Sequence, residues 1–206
     1  AVTRRELHLP EGIPLPHGDA LSKRVSLEVR NPELNPRFML GMVENVQAQP
    51  SPYWVQRRRN LAGMRPIDAL VDATNCTMLE TGEPLHAFDY ELLCKRSGGK
   101  PPSIITRTAK QGEMLTLLDG TTRQLDESME VVADSVGPLS LAGIMGGMDS
   151  GISAQTQHVL LEAASWNFIN IRQTLSKLKI PSEAGWRFSR GVHPALAEQA
   201  LRLCLQ

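Results

Sequence analysis

Apolar and polar residues alternate over Val25 to Val29 and again over Phe38 to Val46, which predicts two strands. Asn31-Pro32 and Asn35-Pro36 mark turns between them, because a residue before proline is pushed out of the helical region. A helix start follows: Ser51 can cap, Pro52 suits the first helical position, and Tyr53 to Ala62 carries Trp54, Val55, Leu61 and Ala62, with Gly63 closing it. On this reading those apolar residues face inward and Arg57-Arg58-Arg59 faces solvent. Ile67, Leu70, Val71, Thr74 and Met78 then recur at helical spacing, predicting a helix over Ile67 to Glu80 that Gly82 and Pro84 end. The inward stripe brings in a polar pair, Thr74-Asn75. A buried amide costs about 1–3 kcal/mol unless it is hydrogen-bonded, so Asn75 either satisfies neighbouring backbone or lines a pocket.

From Ser103 the pattern changes to short β-like runs: Ser103 to Arg107, Met114 to Leu117, Thr122 to Leu125, Met129 to Ala133 and Leu139 to Leu141, with Asp119-Gly120 as a hairpin signal. A glycine-rich connection, Gly143 to Gly147, precedes a strand from His158 to Leu161 that runs into Glu162. Asn167 can cap a helix carrying Phe168, Ile171, Leu175 and Leu178; Pro181-Ser182 opens a second, and Pro194 to Gln206 reads as a third. Helices clustered outside a run of strands predict an α+β fold, a mixed sheet or barrel-like β core covered by helices.

Composition narrows the function classes. The chain is 41% hydrophobic but only 4% aromatic, so its core is built mainly from aliphatic residues. Lys plus Arg is 22 and Asp plus Glu is 22, which leaves no overall field to grip a polyanion, so any nucleic-acid contact must be a local patch. No apolar run is long enough for a membrane span, and the charged start AVTRRELHLP lacks the apolar run of a signal peptide. A cytoplasmic protein without a membrane partner is the expectation. Cys76, Cys94 and Cys204 are odd in number and form no CxxC pair, which argues against a disulfide framework and against a metal site. Dinucleotide, P-loop, zinc-protease and serine-hydrolase motifs are all missing.

A few residues stand out chemically. Glu162 sits between Val159-Leu160-Leu161 and Ala163-Ala164, where a carboxylate is paired, ligand-facing or at a strand end on the surface. His86, between Leu85 and Ala87-Phe88, is a satisfied core histidine or a catalyst. Gly143, Gly146 and Gly147 serve a tight turn or let a ligand approach bare backbone. Arg57, Arg58 and Arg59, with Arg65, Arg187 and Arg190, form a solvated face or a phosphate-contacting patch.

These residues fall in motifs that resemble one family. Asn31-Pro32-Glu33-Leu34-Asn35-Pro36-Arg37, Ser51-Pro52-Tyr53-Trp54-Val55-Gln56-Arg57-Arg58, Gly63-Met64-Arg65-Pro66-Ile67, Val71-Asp72-Ala73-Thr74-Asn75 and Glu80-Thr81-Gly82-Glu83-Pro84-Leu85-His86-Ala87-Phe88-Asp89 are similar to the bacterial phenylalanine–tRNA ligase beta subunit. Leu118-Asp119-Gly120, Leu141 to Gly147, Leu160 to Ala164 and Arg187 to Val192 resemble, in the same order, that subunit's B3/B4 editing unit. The resemblance implies a single compact three-layer β/β/α unit over residues 24–194; the crowding of Pro10, Gly12, Pro14, Pro16 and Gly18 makes 1–23 read as a linker or leading arm, and 195–206 reads as the start of a truncated helix. It implies hydrolysis of tyrosine mischarged onto tRNA(Phe), with Glu162 reading the tyrosine hydroxyl and Gly146, Ala184 and Ser182 lining the substrate site. Thr74, Asn75 and His86 would lie near the scissile ester, and Arg65, Arg57 and Arg58 would contact the tRNA. No cofactor is expected for the domain itself; ATP and Mg belong to the parent ligase, a heterotetramer with an alpha subunit. The alternative is a structural or tRNA-docking module of the same ligase without catalysis. Ser182 stands where the family usually has threonine, and Gly185-Trp186 replaces a more polar pair.

Overall fold

In the computed structural model Gly18 and residues 20–206 are described; residues 1–17 and 19 of the expected arm lie outside the described residues. A short 3-10 turn, Leu21–Lys23, leads into β1 (Ser26–Val29) and β2 (Arg37–Glu44), then α1 (Tyr53–Leu61) and α2 (Ala69–Thr81). The α2 start is fixed by Asp68, whose side chain accepts from the Leu70 and Val71 N–H groups, and its end by Gly82 in the left-handed region at φ +81°. Two elements that the apolar pattern does not predict come next: β3 (Leu85–Asp89) and α3 (Tyr90–Arg96). They join at Asp89, which caps α3 through the Leu92 N–H.

The five short runs all form strands: β4 (Ser103–Thr108), the β5 (Met114–Thr116) and β6 (Thr122–Gln124) hairpin, β7 (Glu130–Ala133) and β8 (Pro138–Leu141), and a two-residue strand not expected there, β9 (Met145–Gly146), forms within the glycine-rich connection. A long β10 (His158–Ser165) and three helices, α4 (Phe168–Leu178), α5 (Glu183–Phe188) and α6 (Leu196–Cys204), complete the chain. Asn167 caps α4 and Ser182 caps α5, as expected. Three sheets result, ordered β1-β4-β7-β8-β9, β2-β10-β3 and β5-β6. The fold is therefore mixed α+β, and among the described residues no closed barrel forms, because each sheet keeps its edge strands.

The central strand β10 organises both cores. Alternation along a strand sends successive side chains to opposite faces. Leu160 and Ala164 enter the main apolar cluster with Phe38, Phe88, Leu141 and Trp166, while Val159, Leu161 and Ala163 enter a second one closed by Ala197 and Leu201 of α6. Leu70 of α2 packs on that second cluster. Glu162 lies between Leu160 and Ala164 in the strand, so its carboxylate points to the main-core face.

The inner face of α1 differs from the expectation. Tyr53, Trp54 and Leu61 are 79%, 59% and 77% exposed, and the buried residues are Val55 and Arg59, one helical turn apart. Arg59 is buried because it forms an ion pair with Asp72 of α2. Asp72 also accepts hydrogen bonds from Ser51 Oγ at 2.5 Å and from the Ile67 N–H at 3.0 Å, so Ser51 serves Asp72 and does not cap α1. A hydropathy stripe cannot register an arginine that is neutralised by its neighbour helix.

Candidate functional site

Glu162 and His86 are direct partners across the antiparallel β10–β3 ladder, so both side chains project from the same face. The His86 ring stands edge-on to Phe88, with centroids 4.4 Å apart and an interplanar angle of 88°. β9 crosses this face at Gly146, where a Cβ would lie 2.3 Å from His86 Cε1 and 2.8 Å from Nε2. Only glycine lets the β9 backbone approach the imidazole so closely.

These groups bound a cavity of about 80 Å³ lined by Pro84, Leu85, His86, Ser140, Leu141, Gly143, Ile144, Met145, Gly146, Glu162, Ala184 and Phe188. That is several times the room a single water needs. Most of the lining residues are apolar in type, but polar atoms make up the larger part of the surface they show the cavity. Among the described residues Glu162 Oε2 and His86 Nε2 are sealed from solvent without a hydrogen-bond partner. Such orphans are costly unless a ligand or water meets them. Burial pushes the Glu162 carboxyl up to about 8 and the His86 imidazolium down to about 4. Near neutral pH the histidine is therefore an uncharged ring with one accepting and one donating nitrogen.

Four of the expected residues, His86, Gly146, Glu162 and Ala184, thus converge on one cavity. Ser182 does not line it; its Oγ accepts from the Gly185 N–H at 2.9 Å and so positions α5, which supplies Ala184 and Phe188. Thr74 and Asn75 also lie outside the lining. Thr74 Oγ1 and Asn75 Nδ2 both donate to the Val71 carbonyl, at 2.8 and 2.9 Å, and α2 packs on the face of the sheet opposite Glu162. Asn75 thus satisfies backbone, but that of its own helix. Arg57, Arg58 and Arg65 are exposed, in a stretch from Tyr53 to Ile67 that holds no acidic residue. Arg59, read with them as outward, is withdrawn into the ion pair with Asp72.

One buried residue beside the site gave no sequence signal. Glu83, between the helix-ending Gly82 and Pro84, reads as loop but is fully buried, and both its carboxyl oxygens lack partners. Burial first, and repulsion from Glu162 second, raise it to about 8. A larger cavity of about 580 Å³ lies between the Leu21–Lys23 turn, β2 and α6, but its charged groups are paired as Arg24 with Glu44 and Arg202 with Glu198. Among the described residues no group of three or more His, Cys, Asp or Glu side chains is placed to hold a metal ion.

Comparison with known proteins gives this arrangement a lineage. A family model described as the B3/4 domain matches residues 34–206. The chain belongs to the B3/4 domain family. This B3/4 domain is 42% identical over 207 residues to the phenylalanine–tRNA ligase beta subunit of Moorella thermoacetica, a match covering 98% of the chain and 25% of that protein. It is 48% identical over 179 residues to the beta subunit of Rhodopseudomonas palustris, covering 87% of the chain and 21% of that protein. The domain therefore spans about a quarter of the length of the relatives it matches. An N-terminal fragment of the phenylalanyl-tRNA synthetase beta subunit from Pyrococcus horikoshii shares the fold at a TM-score of 0.51 and 16% identity, over 84% of this chain and 52% of the fragment.

Proposed function

We propose that this B3/4 domain hydrolyses the ester that joins tyrosine to mischarged tRNA(Phe), as the editing unit of a phenylalanine–tRNA ligase. The observation that carries the reading is Glu162, a buried carboxyl with an unpartnered oxygen, at a cavity that Leu141, Ile144, Ala184 and Phe188 also line. Tyrosine is phenylalanine with one added hydroxyl, and an apolar pocket rejects such an isostere by only ~10². A second site that selects for the hydroxyl closes the gap. Glu162 offers the phenol an acceptor, while phenylalanine leaves the carboxyl unsatisfied, at about 1–3 kcal/mol. Leu141, Ile144 and Phe188 supply the apolar walls for the ring.

At the ester, His86 is a neutral imidazole whose unpartnered Nε2 would accept a hydrogen bond from a water only after the backbone packed on it at Gly146 gives way. Gly146 keeps the space beside that nitrogen narrow. Arg57, Arg58 and Arg65 fit a role in holding the tRNA backbone, supported by their exposure and the lack of acids around them. Association with an alpha subunit in a cytoplasmic heterotetramer, and dependence on ATP and Mg for aminoacylation, belong to the same proposal and rest on the likeness to the beta subunits.

The test is release of tyrosine from Tyr-tRNA(Phe) and of phenylalanine from Phe-tRNA(Phe) by the purified domain. Faster release of tyrosine, with the preference reduced on Glu162→Ala, supports the reading. Binding of tRNA without release of either amino acid would instead make this a docking module.

A further inference from the structure

Trp186 is 56% exposed, although it sits in α5 between Ala184 and Phe188, which both line the cavity. Positions two apart on a helix point to nearly opposite sides, so Trp186 stands on the outer side of α5, roughly one helix diameter, about 10 Å, from that cavity. Its ring is held in place. The Arg190 guanidinium lies 3.6 Å from the ring centroid while Arg190 Nη1 donates to the Trp186 carbonyl at 2.7 Å.

A second pair of the same kind lies alongside. On α4 the Arg172 guanidinium is 5.0 Å from the ring centroid of Phe168, which is 41% exposed. Arg172 Nε donates to the Ser189 carbonyl at 2.6 Å, and Ser189 Oγ donates to the Trp186 carbonyl at 2.9 Å, so both pairs are tied to one stretch of backbone. α4 and α5 meet closely at Gly185, where a Cβ would lie 2.8 Å from Leu175 Cδ2. The Gly185-Trp186 pair thus has a physical sense: the glycine seats α5 on α4, and the tryptophan after it faces out.

The charge around these rings is one-sided. From Trp166 to Ala195 the sequence holds five Lys and Arg against one acid, Glu183, in a chain that is balanced as a whole. Glu183 pairs with Arg187, and Lys177 pairs with Asp126, while Arg172 and Arg190 have no ion pair among the described residues. An apolar protein partner would bury those two charges uncompensated, at a large cost. Exposed π faces beside fixed guanidinium groups instead match a single-stranded nucleic acid, which offers bases to stack and phosphates to hold.

We propose that Trp186 and Phe168, with Arg190 and Arg172, form a docking surface for the unpaired nucleotides that lead into the cavity: a base stacks on the Trp186–Arg190 pair, and the arginines hold neighbouring phosphates. This rests on the reading that the cavity takes an amino acid esterified to the single-stranded end of a tRNA. Every base has a π face, so the surface adds affinity without choosing between amino acids.

The experiment follows tryptophan emission of the full chain in a Trp54→Phe background, where Trp166, only 3% exposed, leaves Trp186 as the one tryptophan a ligand can reach. A short single-stranded RNA of acceptor-end sequence is expected to quench it. Trp186→Ala should lower RNA affinity by about fivefold or more, the lower end of what one base–aromatic stack contributes. Trp186→Phe, which keeps a π face, should restore most of the loss, and Arg190→Lys, which keeps the charge without the planar fork, should lose part of the binding. The KM for tyrosine release from Tyr-tRNA(Phe) should rise in Trp186→Ala. Absence of quenching by the RNA, equal quenching by inorganic polyphosphate, or equal RNA affinity of Trp186→Ala and Trp186→Phe would each overturn the inference. A chain that binds the RNA through Trp186 but releases no tyrosine would remove the editing reading and leave this surface standing.

Discussion

The Arg59 guanidinium meets the Asp72 carboxylate in a contact shut off from water, with Arg59 only 2% and Asp72 only 1% exposed. The pair ties α1 to α2 at each end of the loop that carries Arg65. Breaking one side leaves a buried charge alone, which costs about 3–5 kcal/mol. Asp72→Asn is therefore expected to lower stability by that amount in urea unfolding, and the double change Arg59→Met with Asp72→Leu to recover only part of it, because Ser51 Oγ and the Ile67 N–H lose their acceptor. A shift in the midpoint no larger than that of a surface substitution would show that the pair is not stabilising α1.

Gly146→Ala should act on the site more than on the fold. Its Cβ would overlap the His86 ring, so the imidazole must turn or β9 must retreat. Loss of tyrosine release by tenfold or more is expected, roughly the effect of a small misplacement of a catalytic group. Kinetics on Tyr-tRNA(Phe) beside a thermal melt would separate the two effects; unchanged kinetics would place the reacting ester away from His86.

Stability should fall as pH rises from 6.5 to 8. Glu83 and Glu162 are raised from 4.5 to about 8 by burial, and Glu130 to about 7, so the folded state holds protons that the unfolded chain has lost. Their contribution is full below pH 4.5 and is lost as pH climbs through the folded values. His86 has the opposite sign: lowered from 6.5 to about 4, it makes folding more favourable as pH rises over that window and adds nothing beyond it. Melting temperatures between pH 6.5 and 8 isolate the carboxyl effect, which Glu162→Gln should flatten. A slope of the opposite sign would mean that these carboxylates are hydrated or paired in solution.

Arg57→Ala with Arg58→Ala is expected to leave stability within about 0.5 kcal/mol, because both side chains are exposed. If they touch tRNA phosphates, affinity drops for every tRNA sequence, and the slope of log K against log salt becomes shallower by roughly two. Filter binding across a salt series reads this directly, and an unchanged slope would assign the patch to another partner.

Most of the secondary structure was legible because short β runs and helical spacings carry their own period. Asn167, Ser182 and the Asp119-Gly120 turn acted where their chemistry placed them. β3 and α3 were not legible: Leu85 to Arg96 is a five-residue strand passing without a break into a seven-residue helix, and neither repeats long enough to show a period. The inward side of α1 was misread for a different reason, since Arg59 is buried only by virtue of Asp72, thirteen positions on. At the site, Glu162 and His86 stood out as polar residues in apolar runs, and tertiary pairing then set them side by side. Glu83 gave no such contrast, being flanked by Gly82 and Pro84. For Thr74 and Asn75 the helical pattern left backbone and pocket both open, because a helical wheel shows which side is inward but not which face of a sheet that side meets.

β10 is hydrogen-bonded along both flanks, by eight register pairs to β2 and five to β3, and its reverse side is clamped by α6. Glu162 is thus mounted on one of the best-braced strands in the molecule, and discrimination would work as a fixed gauge with no door to shut. A gauge fails when its frame loosens. Substitutions in α6 that touch no substrate atom, such as at Ala197 or Leu201, would then blur the distinction between two amino acids well before they unfolded the protein.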